Sequence, residues 1–176
     1  YAFRHWMKLE KKLNPIKPNE YNVGAQFGIT RAEGKKLVRE FNDSAAIAFL
    51  PPLRDAVYYM KRLNMLHGYK FHCITSLSTN KYAQKLRIQN LELLFGDNIF
   101  DDYIILCCGD DKDEALAPYE GTECWWIEDK PKNAILGQSL GLNSILVGHD
   151  HNADYVGDIP RFNKWKEIYK HITGEM

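Results

Sequence analysis

Four short apolar runs constrain this fold more than any other feature: FHCIT (71–75), YIILC (103–107), CWWIE (124–128) and NSILV (143–147). Each has the length of a strand and lacks the polar alternation of a half-exposed one, which fits strands buried on both faces. Helical stretches lie between them, clearest at 80–94 and 131–141. Strand and helix alternating in this way predict a parallel sheet with crossover helices. No strand-like run precedes residue 69. The first fifty residues read instead as a helix over 2–13, a Pro-, Gly- and Asn-rich loop over 14–28, and a second helix running to about Phe41. Thr30 and Glu33 form a T-x-x-E capping box at the start of that helix. Pro51-Pro52 predict the start of another helix, with Leu53, Val57, Met60 and Leu63 on one face. A last helix is predicted over 161–172, with Phe162, Trp165, Ile168 and Tyr169 on one face. The expected fold is therefore α/β, with a three-layer Rossmann-like parallel sheet over 51–176 and a helical cap segment over 1–50.

Lys plus Arg and Asp plus Glu both count 23, so no net field draws the chain to nucleic acid or to an anionic membrane. No apolar run reaches the length of a membrane span, and the N-terminal YAFRHWMKLEKK has no apolar core of signal-peptide type. Cys73, Cys107, Cys108 and Cys124 make no C-x-x-C pair, and three lie in apolar runs. They read as buried free thiols in a reducing cytoplasm.

Open parallel sheets bind ligands beyond the carboxyl ends of their strands. Here those ends carry Thr75-Ser76, then Gly109-Asp110-Asp111-Lys112, then Glu128-Asp129-Lys130, then Gly148-His149-Asp150-His151. A hydroxyl such as that of Thr75 can donate to a phosphate oxygen, and an ammonium such as that of Lys112 can neutralise it. A carboxylate such as that of Asp129 offers magnesium a hard oxygen. Each residue also has a plainer use. Thr75 and Ser76 can close a strand and cap a helix, Lys112 can be a solvated charge, and Glu128 with Asp129 can cap the helix that Pro131 starts. His149, Asp150, His151 and Asp154 read as a solvated loop or as donors for a transition metal.

Taken in order, ITSLSTN (74–80), Lys112 in GDDKDEAL (109–116) and WWIEDKPKNA (125–134) resemble the haloacid dehalogenase-like (HAD) superfamily, and within it the 5'(3')-deoxyribonucleotidase type. The resemblance covers roughly residues 50–150. It implies a magnesium-dependent phosphohydrolase whose partner is a small-molecule phosphate monoester, a nucleotide by analogy. Thr75 and Lys112 would be the catalytic residues of this chain, and Thr75, Ser76 and Lys112 would bind substrate. Asp129 would bind magnesium with Glu128 beside it, and Asn133 would stand where the family often has a further acid. Trp6, Tyr21 and Phe27 of the cap would be available to stack on a base. The family opens with an acidic D-x-D nucleophile motif, and no D-x-D directly follows a strand-like run here. The resemblance would put that motif shortly before Tyr1. The alternative is a non-catalytic HAD-like binding protein that lacks the nucleophile.

Overall fold

In the computed structural model, which describes residues 2–175, the chain is an α/β protein. Helices α1 (Ala2–Glu10), α2 (Val23–Phe27) and α3 (Arg31–Asp43) come first, then a 3₁₀ turn (Ala45–Phe49) and α4 (Ala56–His67). Strand β1 (Phe71–Ser76), α5 (Lys81–Phe95) and β2 (Phe100–Leu106) follow, then the short α6 (Asp113–Leu116). Strand β3 (Trp125–Glu128), α7 (Pro131–Ser139), β4 (Asn143–Val147), β5 (Arg161–Phe162) and α8 (Trp165–Thr173) complete the order.

The chain divides into two compact units, both discontinuous. One joins the segment up to Pro51 to Thr75–Asp110, and the other joins Pro52–Ile74 to the segment from Asp111 onward. The N-terminal helices thus share a unit with α5 and β2. The strands form two ladders, β1–β2 and β3–β4–β5. Apolar runs report which residues prefer burial; they do not encode which strand a given strand will pair with.

In the first unit, Phe41, Ile47 and Leu77 form the core, with Phe3, Trp6, Leu86 and Ile105 packed on it. The capping box of α3 is present in both directions, Glu33 N–H to Thr30 Oγ1 at 3.2 Å and Thr30 N–H to the Glu33 carboxylate at 2.9 Å. The predicted loop over 14–28 contains the unforeseen α2. It packs closely on α3, since a Cβ on Gly34 would lie 2.8 Å from the Gly24 nitrogen. Trp6 and Phe27 are spent on this packing: Trp6 stacks on Phe3 and meets Phe41 edge-on, and Phe27 is buried. Tyr21 remains exposed. β1 and β2 are only partly buried, so the expectation of strands covered on both faces fails there.

In the second unit, β3, β4 and β5 run parallel, with Trp125 opposite Asn143, Glu128 opposite Leu146 and Val147 opposite Phe162. Only β4 matches the fully buried expectation, from Ser144 to Val147. The helix expected over 161–172 begins at Trp165, because Arg161 and Phe162 pair with β4 instead. The helix expected at Pro51-Pro52 begins at Ala56, which leaves Leu53 exposed while Ala56, Met60 and Leu63 are buried. Asp55 just precedes α4 but caps α8. Its two carboxylate oxygens accept from the backbone N–H groups of Trp165 (3.1 Å) and Lys166 (3.0 Å) at the start of α8. Asp55→Ala is expected to destabilise the protein by about 1–2 kcal/mol, as loss of a helix cap does. Thermal unfolding measures this, and an unchanged midpoint would mean that water replaces the cap without cost.

All four cysteines are free, but none is buried: Cys124 is exposed and the other three are partly exposed. No helix among the described residues is long and apolar enough to cross a membrane.

Candidate functional site

The second unit gathers four of the six residues singled out in the sequence: Lys112, Glu128, Asp129 and Asn133. β3 ends at Glu128, whose side chain is 6% exposed. A carboxylate so placed needs donors on every lone pair, and it has them. Its Oε1 accepts the backbone N–H groups of Asp129 (2.9 Å) and Lys130 (3.1 Å). Its Oε2 accepts from Lys112 Nζ (2.6 Å) and Asn133 Nδ2 (3.2 Å). Lys112 is 12% exposed and its ammonium lies 5.0 Å from the centre of the Trp126 ring. Lys112 is therefore a largely covered, paired cation rather than a solvated charge, despite its acidic loop. The indole Nε1–H of Trp126 donates to the Asn133 carbonyl at 3.0 Å, which fixes the ring beneath the lysine.

This arrangement divides the roles of the three residues expected to bind metal. The lone pairs of Glu128 are occupied by protein donors, and the Asn133 side chain is turned onto Glu128. Asp129 differs, because 48% of its side chain is open to solvent. Burial opposes ionisation of Glu128, but the hydrogen bond from Asp129 and the Lys112 charge outweigh it and hold its pKa at about 2. Asp129 is pushed the other way, to about 6, by desolvation and then by the negative Glu128 beside it, with His151 acting in opposition. Solvent at the half-open Asp129 screens part of that push. The upward direction stands, because a like charge next door disfavours a second one.

Two further residues hold Asp129. His151 Nε2 lies 3.1 Å from the Asp129 carbonyl and 3.3 Å from its Oδ2. Both are acceptors, so Nε2 is the ring nitrogen that carries a proton. Asn152 is buried, at 2% exposure. Its Nδ2 donates to the carbonyls of Asp129 (2.7 Å) and Val147 (2.8 Å), tying the end of β3 to the end of β4. Its Oδ1 accepts from His149 N–H (2.9 Å) and Arg161 Nε (2.9 Å), which adds β5. The sequence marked the loop through His149 and His151 but gave no signal for Asn152 or Arg161. Among the described residues no group of three or more His, Cys, Asp or Glu is assembled that could hold a metal ion, and the alternative reading of His149, Asp150, His151 and Asp154 as metal donors finds no such group.

Thr75 and Ser76 end β1 and belong to the first unit. The Ser76 hydroxyl donates to the Asp110 carbonyl at 3.4 Å. His72, the histidine nearest Thr75 in sequence, spends its Nδ1 on the Tyr119 hydroxyl at 2.6 Å in the second unit.

No known protein family matches this chain, and no curated protein matches it either.

Proposed function

We propose that the chain is a HAD-like, magnesium-dependent phosphohydrolase acting on a small phosphate monoester, with Lys112 and Asp129 as its working residues in the second unit. The observation that carries this reading is the buried Lys112–Glu128 pair beside an outward-facing Asp129 at the carboxyl end of β3. Glu128 uses one proton of the ammonium and fixes its position, and the remaining N–H bonds are suited to phosphoryl oxygens, where a preorganised charge is worth more than in water. Asn133 and Trp126 keep the pair in place. The finer fold assignment, a three-layer Rossmann-like core with an N-terminal cap, belongs to the same proposal.

Magnesium fits the donor set in a limited way. It takes few carboxylates and keeps several waters, and Asp129 offers one half-exposed carboxylate whose charge Glu128 destabilises. A cation at Asp129 would relieve that repulsion. When bound, the metal would supply charge neutralisation for the phosphoryl group. Asp129 would hold it, while His151 and Asn152 keep the Asp129 backbone fixed. Calorimetry is expected to show magnesium binding in about the millimolar range, lost in Asp129→Asn. Tight binding that survives Asp129→Asn would place the metal elsewhere and remove this reading.

A further inference from the structure

We propose that Arg54, Arg161 and the paired rings of His149 and His151 form a second anion subsite, which takes the distal phosphoryl group of a bisphosphorylated small molecule. The proposal rests on the phosphate-ester reading above, because the subsite adjoins Asp129 through His151.

The cluster is built by contacts within the second unit. Arg54 Nη1 donates to the Asn163 carbonyl at 2.6 Å. The side chain of Asn163 lies over Gly148 so closely that a Cβ there would collide with it, and Arg161 Nη2 is 3.1 Å from the same point. That Nη2 donates to the His149 carbonyl at 3.3 Å. The rings of His149 and His151 are stacked, 5.4 Å apart and 9° from parallel. His151 reaches Asp129 Oδ2 at 3.3 Å. Two guanidinium groups and two imidazoles thus gather where β4 and β5 end.

The two guanidinium charges there are not matched by hydrogen-bonded carboxylates. The hydrogen bonds of Arg54 and Arg161 go to neutral oxygens, those of Asn163, Asn152 and His149. Neither arginine has a carboxylate partner among the described residues. The carboxylate that acts on His149 is its neighbour Asp150. Burial, then His151, Arg54 and Arg161, lower the His149 pKa, as a crowded positive field does. A planar guanidinium fork matches tetrahedral oxyanions in a way that an ammonium does not. Arg54 also sits at φ 33°, a left-handed conformation that is strained for a residue with a side chain. Such strain persists where the surroundings over-determine it, commonly at ligand clamps.

The test is isothermal titration calorimetry with two probes, a nucleoside 5'-monophosphate and the matching 3',5'-bisphosphate. The bisphosphate is expected to bind about tenfold more tightly, a difference of about 1.4 kcal/mol, and the advantage should shrink as salt rises. Arg54→Gln should bring the ratio of affinities to within about twofold, and Arg54→Lys should keep part of it. Arg54 is exposed, so both variants are expected to fold, and their unfolding midpoints check this. Equal affinity for the two probes, or a ratio untouched by Arg54→Gln, would overturn the subsite. The readout is binding and not turnover. Bisphosphate binding that depends on Arg54, in a chain without Asp129-dependent magnesium binding, would keep the subsite and remove the phosphohydrolase reading instead.

Discussion

Lys112→Met is expected to lower the unfolding free energy by about 3–5 kcal/mol, because it leaves a buried carboxylate without its counter-ion. Four donors serve Glu128, and three of them are neutral. The effect is large through the charge left behind, and not because a buried pair is inherently worth that much. The double variant Lys112→Met, Glu128→Gln removes both charges and should recover most of the loss. A pH signature accompanies it. Glu128 titrates at about 2, below its ordinary 4.5. The unfolded chain holds that proton more tightly, so this stabilisation is complete above about 4.5 and is lost as pH falls toward 2. Asp129 titrates at about 6, above its ordinary 3.8. Its contribution is complete below 3.8 and is lost as pH rises through 6. The two carboxyls titrate as one pair, and the folded state is favoured most between their two steps. In Lys112→Met the Glu128 pKa rises and the acid limb flattens. Urea unfolding across pH measures both effects. A loss under about 1 kcal/mol with the acid limb intact would mean that the pair behaves as a solvated surface bridge.

What could be read from the sequence was what is local in it. The Thr30–Glu33 box declares itself within four residues, and its two hydrogen bonds form as the spacing predicts. Four of the five strands were visible as apolar runs. The fifth, Arg161–Phe162, has two residues and no pattern, and it exists because it pairs with Leu146 and Val147. Helix α4 begins past Pro51-Pro52 because Arg54 takes a left-handed turn and Asp55 is committed to α8, 110 residues away. The same limit applies to the site. Lys112 and Glu128 each stood out at a strand end, but their bond spans 16 residues and no periodicity encodes it. Sequence reasoning therefore set Glu128 beside a metal-binding Asp129 and did not foresee its bond to Lys112. Asn152 was invisible for the same reason: an asparagine in a polar loop looks ordinary until two strand ends and an arginine converge on it.

Phosphate release carries the largest expected effect. An engineered apolar strand ending in D-x-D, joined ahead of residue 1, is expected to raise magnesium-dependent release from nucleoside monophosphates by at least about 10³-fold over the 176 residues alone. The reason is chemical. Lys112 is engaged with the Glu128 carboxylate, so it can neutralise charge but is not placed to attack phosphorus. Asp129 attacks poorly while it holds a cation, and its backbone is pinned by Asn152. The imidazole of His151 directs its Nε2 proton at Asp129, which occupies the nitrogen closest to that carboxylate. On the proposed reading these residues would position and polarise a phosphate, and the covalent step would need an unencumbered carboxylate of the kind D-x-D provides. In the longer chain Asp129→Asn should abolish the dependence on magnesium. Robust release by the 176 residues alone, lost in Asp129→Asn, would show that the nucleophile lies within them and that the mechanism is different. If the longer chain releases no phosphate from any monoester while still binding the esters, the protein is a non-catalytic relative that kept the anion-binding apparatus of the second unit and uses it for recognition.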